Sequence, residues 1–151
     1  MSIAALIAWI LTAAGGFVLL GKWISHGGVR SPGTSRFPPG LIFSHFGLAA
    51  AGLVLWIIYL INDQDALAWV AFALLVLVAL LGFAMLVRWL PGYRARTTVN
   101  AGGAGAGRAG AQTAERAAEQ HFPVAVVAAH GVLAVITVVT VLLAALGVGG
   151  S

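Results

Sequence analysis

Four long stretches of almost uninterrupted apolar residues dominate the chain. They cover residues 3–24, 40–61, 66–90 and 123–148. A helix that crosses a bilayer needs about 20 mostly apolar residues, because its backbone polar groups must be hydrogen-bonded within the chain where water is absent. The pattern therefore predicts an all-α integral membrane protein. Its four transmembrane helices form one bundle and a single membrane domain over residues 1–151.

Polar residues are concentrated in three connections. Residues 27–40 are rich in Gly and Pro, which favour turns. Residues 62–65, Asn-Asp-Gln-Asp, are short enough to make the second and third helices antiparallel neighbours. Residues 91–120 contain a Gly/Ala-rich low-complexity portion and predict a flexible linker. At the end of this linker, Thr113 as N-cap predicts a short helix over residues 113–120.

The overall composition leaves lipid as the only solvent that suits this chain. Hydrophobic residues make up 61% of the sequence and charged residues 8%, whereas soluble domains carry about 25% charged residues. A soluble enzyme is excluded. Cysteine is absent, which excludes disulfides, iron–sulfur clusters, thiolate zinc sites and the attachment motif of c-type haem. Any redox centre must therefore rest on histidine.

The basic residues mark one side of the membrane. All eight fall at the same face once the four spans are threaded: Lys22, Arg30, Arg36, Arg88, Arg94, Arg96, Arg108 and Arg116. Because basic loops stay in the cytoplasm, the connections 27–40 and 91–120 are predicted to be cytoplasmic, with both termini on the extracytoplasmic side. The net charge of +4 thus indicates a multi-pass protein of a bacterial cytoplasmic (inner) membrane. It does not indicate a nucleic-acid partner.

Two histidines lie within the predicted spans, where ionisable groups are rare and are functional candidates. His45 is about five residues inside the second span and His130 about seven residues after Pro123, so they lie roughly 7 Å and 10 Å deep. Both spans enter from the same face, so the two imidazoles are expected to face each other. Two facing histidines in a four-helix bundle suit axial ligation of the iron of one b-type haem.

Other residues at this level and at the nearby interface complete the predicted haem site. Glycines that would leave room for the macrocycle occur on all four spans: Gly15, Gly16, Gly47, Gly82 and Gly131. Basic residues at the interface would contact the haem propionates or lipid headgroups: Lys22, Arg36, Arg88 and Arg94.

The same residues also allow an interpretation without a cofactor. Glycine and alanine are enriched wherever membrane helices pack closely, so a glycine layer alone does not require a ligand. A histidine in a span can bond a carbonyl or hydroxyl of a neighbouring helix, with Ser44, Thr12 and Thr137 as candidate partners. A quinone, proton or metal-ion role for the histidines is a further alternative.

Transport and catalysis receive less support. The four carboxylates lie outside the spans, and proton-coupled carriers rely on buried ones: Asp63, Asp65, Glu115 and Glu119. The two halves show no visible internal repeat, which argues against an inverted-repeat transporter. Hydrolase, zinc-protease and phosphate-loop motifs are absent from the sequence. The chain therefore looks like a non-catalytic subunit.

In its arginine-rich loops and its Ala/Val/Gly-rich spans, the whole chain resembles small uncharacterised four-span inner-membrane proteins of high-GC bacteria, especially actinobacteria. The segment HFPVA at residues 121–125 resembles the H-F-P-[IV]-A opening of a span in one family of bacterial membrane proteins. In architecture the chain is similar to the di-histidine b-haem anchors of respiratory enzymes. That similarity implies electron transfer to or from quinone, with His45 and His130 as axial ligands.

Three functional hypotheses follow. The leading one is an integral membrane subunit that binds one b-type haem between His45 and His130 and transfers electrons near the cytoplasmic leaflet. The alternative is a cofactor-free accessory protein that packs against a larger complex. The third is a small carrier or channel. The expected partners are the lipid bilayer, a respiratory membrane complex or quinone, and a second copy of the chain.

Overall fold

Helices make up most of the chain that the computed structural model describes, which is residues 1–29, 35–102 and 117–148. The helices are α1 (Ser2–Ser25), α2 (Pro39–Asn62), α3 (Asp65–Gly102) and α4 (Val124–Ala145), with a 3₁₀ turn at Ala118–His121. These described ranges contain no strand. All four α-helices are long and apolar enough to cross a membrane. The chain is therefore a multi-pass membrane protein, and the predicted all-α class is confirmed.

A two-residue connection joins α2 to α3. The N–H of Asp63 donates to the carbonyl of Tyr59 at 2.8 Å and ends α2. Asp63 itself adopts the left-handed conformation, with φ of 53°, which reverses the chain direction at once. Only Asp63 and Gln64 separate the two helices, so the predicted tight turn is confirmed.

The third helix continues past the expected end of its membrane span at Leu90, because α3 runs through Pro91 to Gly102. A proline inside a helix removes one N–H, and contacts around it can compensate for the loss. The rings of Trp89 and Tyr93 stack across Pro91 with centroids 5.0 Å apart. Residues 91–102 are thus helix and not linker.

The rest of the expected linker is only partly described. Residues 103–116, which include the start of the expected helix 113–120, lie outside the described residues. From residue 117 onward the chain forms the 3₁₀ turn Ala118–His121 in place of an α-helix. Pro123 then precedes α4 directly.

The helices pack as a ring. α1 packs mainly against α4 and α2 mainly against α3, while α3 also contacts α4 and a lighter α1–α2 contact closes the ring. Consequently α2 and α4 lie diagonally opposite, as do α1 and α3. We call the end of the bundle with Lys22, Arg36 and Arg88 the basic end, and the end with the Asp63 connection the turn end.

The two halves of the chain repeat one pattern, which corrects the expectation that they share no repeat. The sequence GFVLLGKW at residues 16–23 corresponds to GFAMLVRW at 82–89. Likewise FPPGLIFSH at residues 37–45 corresponds to FPVAVVAAH at 122–130. Since α1 matches α3 and α2 matches α4, both in the same direction and diagonally placed, a pseudo-twofold axis along the bundle relates the halves.

Burial follows the same repeat. The buried residues Gly52, Trp56 and Tyr59 of α2 occupy the positions of Thr137, Val141 and Ala144 in α4, which are also buried. Two cores result. The turn-end core comprises Ala5, Trp9, Trp56, Tyr59, Ala68, Ala71, Leu75, Val141 and Ala144. The basic-end core comprises Trp23, Phe37, Ile42, Trp89 and Ala118.

Candidate functional site

The predicted pair of histidines comes together between the two cores. His45 is six residues after Pro39, the first residue of α2, and His130 is six residues after Val124, the first residue of α4. Each therefore lies about 9 Å along its helix. Their ring centroids are 6.4 Å apart and the ring planes are inclined by 58°. Because α2 and α4 are diagonal, the pair lies at the centre of the bundle.

Each imidazole is held by a backbone carbonyl of the neighbouring helix. Nδ1 of His45 lies 3.0 Å from the carbonyl oxygen of Val78, and Nδ1 of His130 lies 2.9 Å from that of Thr12. A carbonyl oxygen can only accept a hydrogen bond, so Nδ1 is the donor in both rings. In a neutral imidazole this leaves the lone pair on Nε2. Both histidines thus have the nitrogen that binds metals available.

Three of the predicted glycines contact the histidines. A Cβ on Gly16 would lie 3.2 Å from Cε1 of His130, and a Cβ on Gly15 would lie 3.4 Å from its Cβ. A Cβ on Gly82 would lie 3.2 Å from Cε1 of His45. These glycines therefore give room to the imidazole rings themselves.

Gly47 and Gly131 are not part of this arrangement. Both are exposed on the surface of the bundle, and a Cβ built on either would have no neighbouring heavy atom within 4 Å. They lie at the same depth in the spans as the histidines, but on the exposed side of their helices.

The chain was compared with protein-family models, with curated proteins and with solved structures. No match was found in any of the three.

The four predicted propionate contacts are exposed residues at the basic end: Lys22, Arg36, Arg88 and Arg94. Lys22 and Arg88 follow Gly16 and Gly82 by six residues, which is about 9 Å along the helix. They occupy equivalent positions in the repeat. The guanidinium of Arg36 packs against Gly92.

A buried polar cluster at the basic end has no counterpart in the sequence-based predictions. Glu119, which is 2% exposed, accepts hydrogen bonds from the Ser35 hydroxyl at 2.8 Å and from the Arg36 N–H at 2.9 Å. The indole N–H of Trp23 donates to Ser35 at 2.9 Å, and that of Trp89 donates to the Glu119 carbonyl at 3.1 Å. The cluster ties both tryptophans of the repeat to the connections that precede α2 and α4.

A second pair of histidines lies at the same end. The rings of His26 and His121 stack with centroids 3.9 Å apart and an interplanar angle of 16°. His26 directs Nδ1 to the carbonyl oxygen of Lys22 at 2.7 Å. Because the two rings lie face to face, this pair is a packing contact between the residue that follows α1 and the 3₁₀ turn.

Proposed function

We propose that the protein is an integral membrane subunit that binds one b-type haem through His45 and His130 and transfers electrons. The observation that carries this proposal is the central pair of imidazoles, 6.4 Å apart, with Nδ1 of each bonded to a carbonyl. Histidines that bind metals typically donate their other ring N–H to a carbonyl or carboxylate in this way.

The separation of the two rings would allow both imidazoles to bind one metal ion. An imidazole nitrogen binds a metal at about 2 Å, and the ring centre lies roughly 1 Å behind that nitrogen, so two such rings have centres about 6 Å apart. The observed 6.4 Å agrees with this value. A haem iron held in this way supplies one-electron oxidation and reduction.

The surroundings supply what such a group needs from the protein. The turn-end core and the basic-end core lie on either side of the histidine pair and would limit the access of water to a group bound there. Exclusion of water and the two neutral imidazoles would set the reduction potential. The cations at the basic end would bind the propionate carboxylates. Lipid surrounds the helices, and we propose quinone or a larger respiratory complex as the electron partner.

A visible spectrum of the purified protein tests the proposal. We expect the full-length chain, expressed with haem supplementation and purified in detergent, to show the Soret band and the reduced spectrum of a six-coordinate haem. His45→Ala and His130→Ala should each lose that six-coordinate spectrum. His26→Ala and His121→Ala, at the basic end, are matched controls and should retain it. A wild-type protein without a Soret band after supplementation would contradict the proposal.

A second candidate function is that of an accessory protein without a cofactor. It is favoured by a specific observation, namely that each imidazole fills the space beside a glycine and links two helices by a hydrogen bond. In that case the purified protein should show no Soret band, and His45→Ala and His130→Ala should each lower its unfolding midpoint in detergent, because each removes a hydrogen bond between two helices. Gly47→Leu would disrupt assembly only through a partner, because a Cβ at this exposed position would meet no atom of another part of the described chain within 4 Å. Gly82→Leu would disrupt the bundle itself.

A further inference from the structure

The two imidazoles meet their neighbouring helices through the same small set of atoms. A Cβ on Gly16 would lie 3.2 Å from Cε1 and 3.7 Å from Nδ1 of His130, and a Cβ on Gly82 would lie at the same two distances from His45. The carbonyl that Nδ1 contacts belongs to the residue four positions before each glycine, Thr12 or Val78. We call each pair of glycine and preceding carbonyl a seat.

A glycine at this position exposes the carbonyl. In an α-helix, the carbonyl of one residue points toward the N–H of the residue four positions later, and the carbonyl keeps a second lone pair for another donor. A Cβ on that later residue would stand beside the approach to this lone pair. At 3.2 Å from Cε1, it would also push the imidazole away from the helix by a few tenths of an ångström.

We propose that Gly16 and Gly82 are positioning residues of the histidine pair. Each seat fixes one imidazole with Nδ1 as the donor and leaves Nε2 free for a ligand. The identity of that ligand, haem, rests on the proposed function. The orientation of the rings rests on the seats alone.

The repeat supports this assignment independently of either site. The residue that supplies the carbonyl is Thr12 in one half and Val78 in the other, so the two halves share no side chain there. They share the glycine, the carbonyl and the histidine. The hydroxyl of Thr12 has other partners, the carbonyl of Ala8 at 2.8 Å and the hydroxyl of Thr137 at 3.0 Å.

Alanine substitutions at four glycines distinguish an effect on the imidazoles from a general effect of glycine on helix packing. Gly16→Ala and Gly82→Ala place a Cβ against an imidazole, whereas Gly47→Ala and Gly131→Ala place it where no heavy atom lies within 4 Å. All four changes raise helix propensity, so the intrinsic effect of alanine is the same in the four variants. We expect only the first two to lower the haem affinity, by about 10-fold or more, as with other groups that orient metal-bound histidines.

The spectrum of the bound form gives the corresponding readout. We expect Gly16→Ala and Gly82→Ala to shift bound haem from the six-coordinate to the five-coordinate form, because one ring is displaced in each variant. The two control variants should keep the wild-type spectrum. If Gly16→Ala and Gly82→Ala bind haem with wild-type affinity and spectrum, the positioning role is overturned while the haem proposal stands.

A measurement that needs no haem distinguishes the two proposals. Nitrogen-15 NMR of the histidine side chains of the full-length protein reports which ring nitrogen carries the proton. If the wild-type protein binds no haem, this measurement on the purified protein still tests whether the two seats orient the imidazoles. We expect His45 and His130 to be protonated on Nδ1, with this form lost at His130 in Gly16→Ala and at His45 in Gly82→Ala. Unchanged tautomers in both variants would overturn the seats.

Discussion

The carboxylate of Glu119 lies inside the protein although the residue is outside the membrane-spanning helices. Its two oxygens accept hydrogen bonds from Ser35 and from the backbone of Arg36. Ser35 in turn accepts from the N–H of Phe37 at 3.0 Å. One side chain therefore joins the connection before α2 to the connection before α4.

Removal of this carboxylate should lower stability. Glu119→Ala leaves the Ser35 hydroxyl and the Arg36 N–H without their acceptor, which costs about 1–3 kcal/mol. We expect a lower unfolding midpoint in detergent, measured by thermal or denaturant unfolding. Arg94→Ala, at an exposed position of the same end, is the control. Equal midpoints for the two variants would show that the cluster contributes little.

The sequence predicts some of these residues and cannot predict others. Depth within a span is a simple count, so the common level of His45 and His130 follows from the sequence. The side of the helix does not follow from depth, which is why Gly47 and Gly131 were expected at the site and lie outside it. The burial of Glu119 depends on Ser35, a residue 84 positions away, and no local pattern reports such a partner.

At the scale of the elements, the connection between α2 and α3 depends on a single backbone conformation. Asp63 has φ of 53°, a region that glycine adopts freely and that β-branched residues avoid. Its N–H ends α2 through the carbonyl of Tyr59.

Substitutions at Asp63 should therefore depend on backbone preference and not on charge. We expect Asp63→Gly to keep the wild-type stability and Asp63→Val to lose about 1–2 kcal/mol, because aspartate tolerates the left-handed conformation whereas a β-branched side chain avoids it. Gln64→Val, at the adjacent exposed position, should have little effect. Thermal unfolding of the three variants in detergent measures this, and equal losses from valine at both positions would contradict it.

Hydropathy predicts all four helices, but α3 continues past the expected end of its span. At 1.5 Å per residue, the 38 residues of α3 extend roughly 57 Å, almost twice the hydrocarbon thickness of about 30 Å. Beyond Pro91 the helix is polar, and a proline followed by polar residues is typical of a linker. The stack of Trp89 on Tyr93 and the hydrogen bonds of Thr97 and Thr98 to carbonyls one turn earlier support the helix there. These contacts are invisible to a hydropathy pattern.

On the scale of the whole molecule, the chain is built from two similar pairs of consecutive helices, α1–α2 and α3–α4. The repeat is difficult to see in the sequence because lipid-facing positions accept any apolar residue. At these positions the corresponding residues of the two halves therefore differ. What remains alike are the positions with a specific packing or bonding role, such as Gly16 and Gly82, Trp23 and Trp89, and the two histidines. A rotation about the pseudo-twofold axis brings the members of each pair to equivalent positions.

The orientation in the membrane is predicted by charge and is open to direct measurement. The sequence contains no cysteine, so single-cysteine variants carry no background. We expect Gln64→Cys, at the turn end, to react with a maleimide that does not cross the cytoplasmic membrane. The reaction is carried out on bacterial cells in which this membrane is intact and the layers outside it let the reagent through. Thr97→Cys, beyond the basic end, should react only after the membrane is opened. The opposite labelling pattern would show that the basic end faces outward.

The repeated tryptophans have an optical consequence. Trp23 and Trp89 each follow a seat glycine by seven residues, about 10 Å along the helix, and both indoles are buried. Haem absorbs at the wavelengths where indole emits, so a haem held by His45 and His130 would quench them. The unmodified chain thus carries its own fluorescent reporter. Its emission would fall in proportion to the haem taken up, and the point at which the fall ends would give the number of haems per chain.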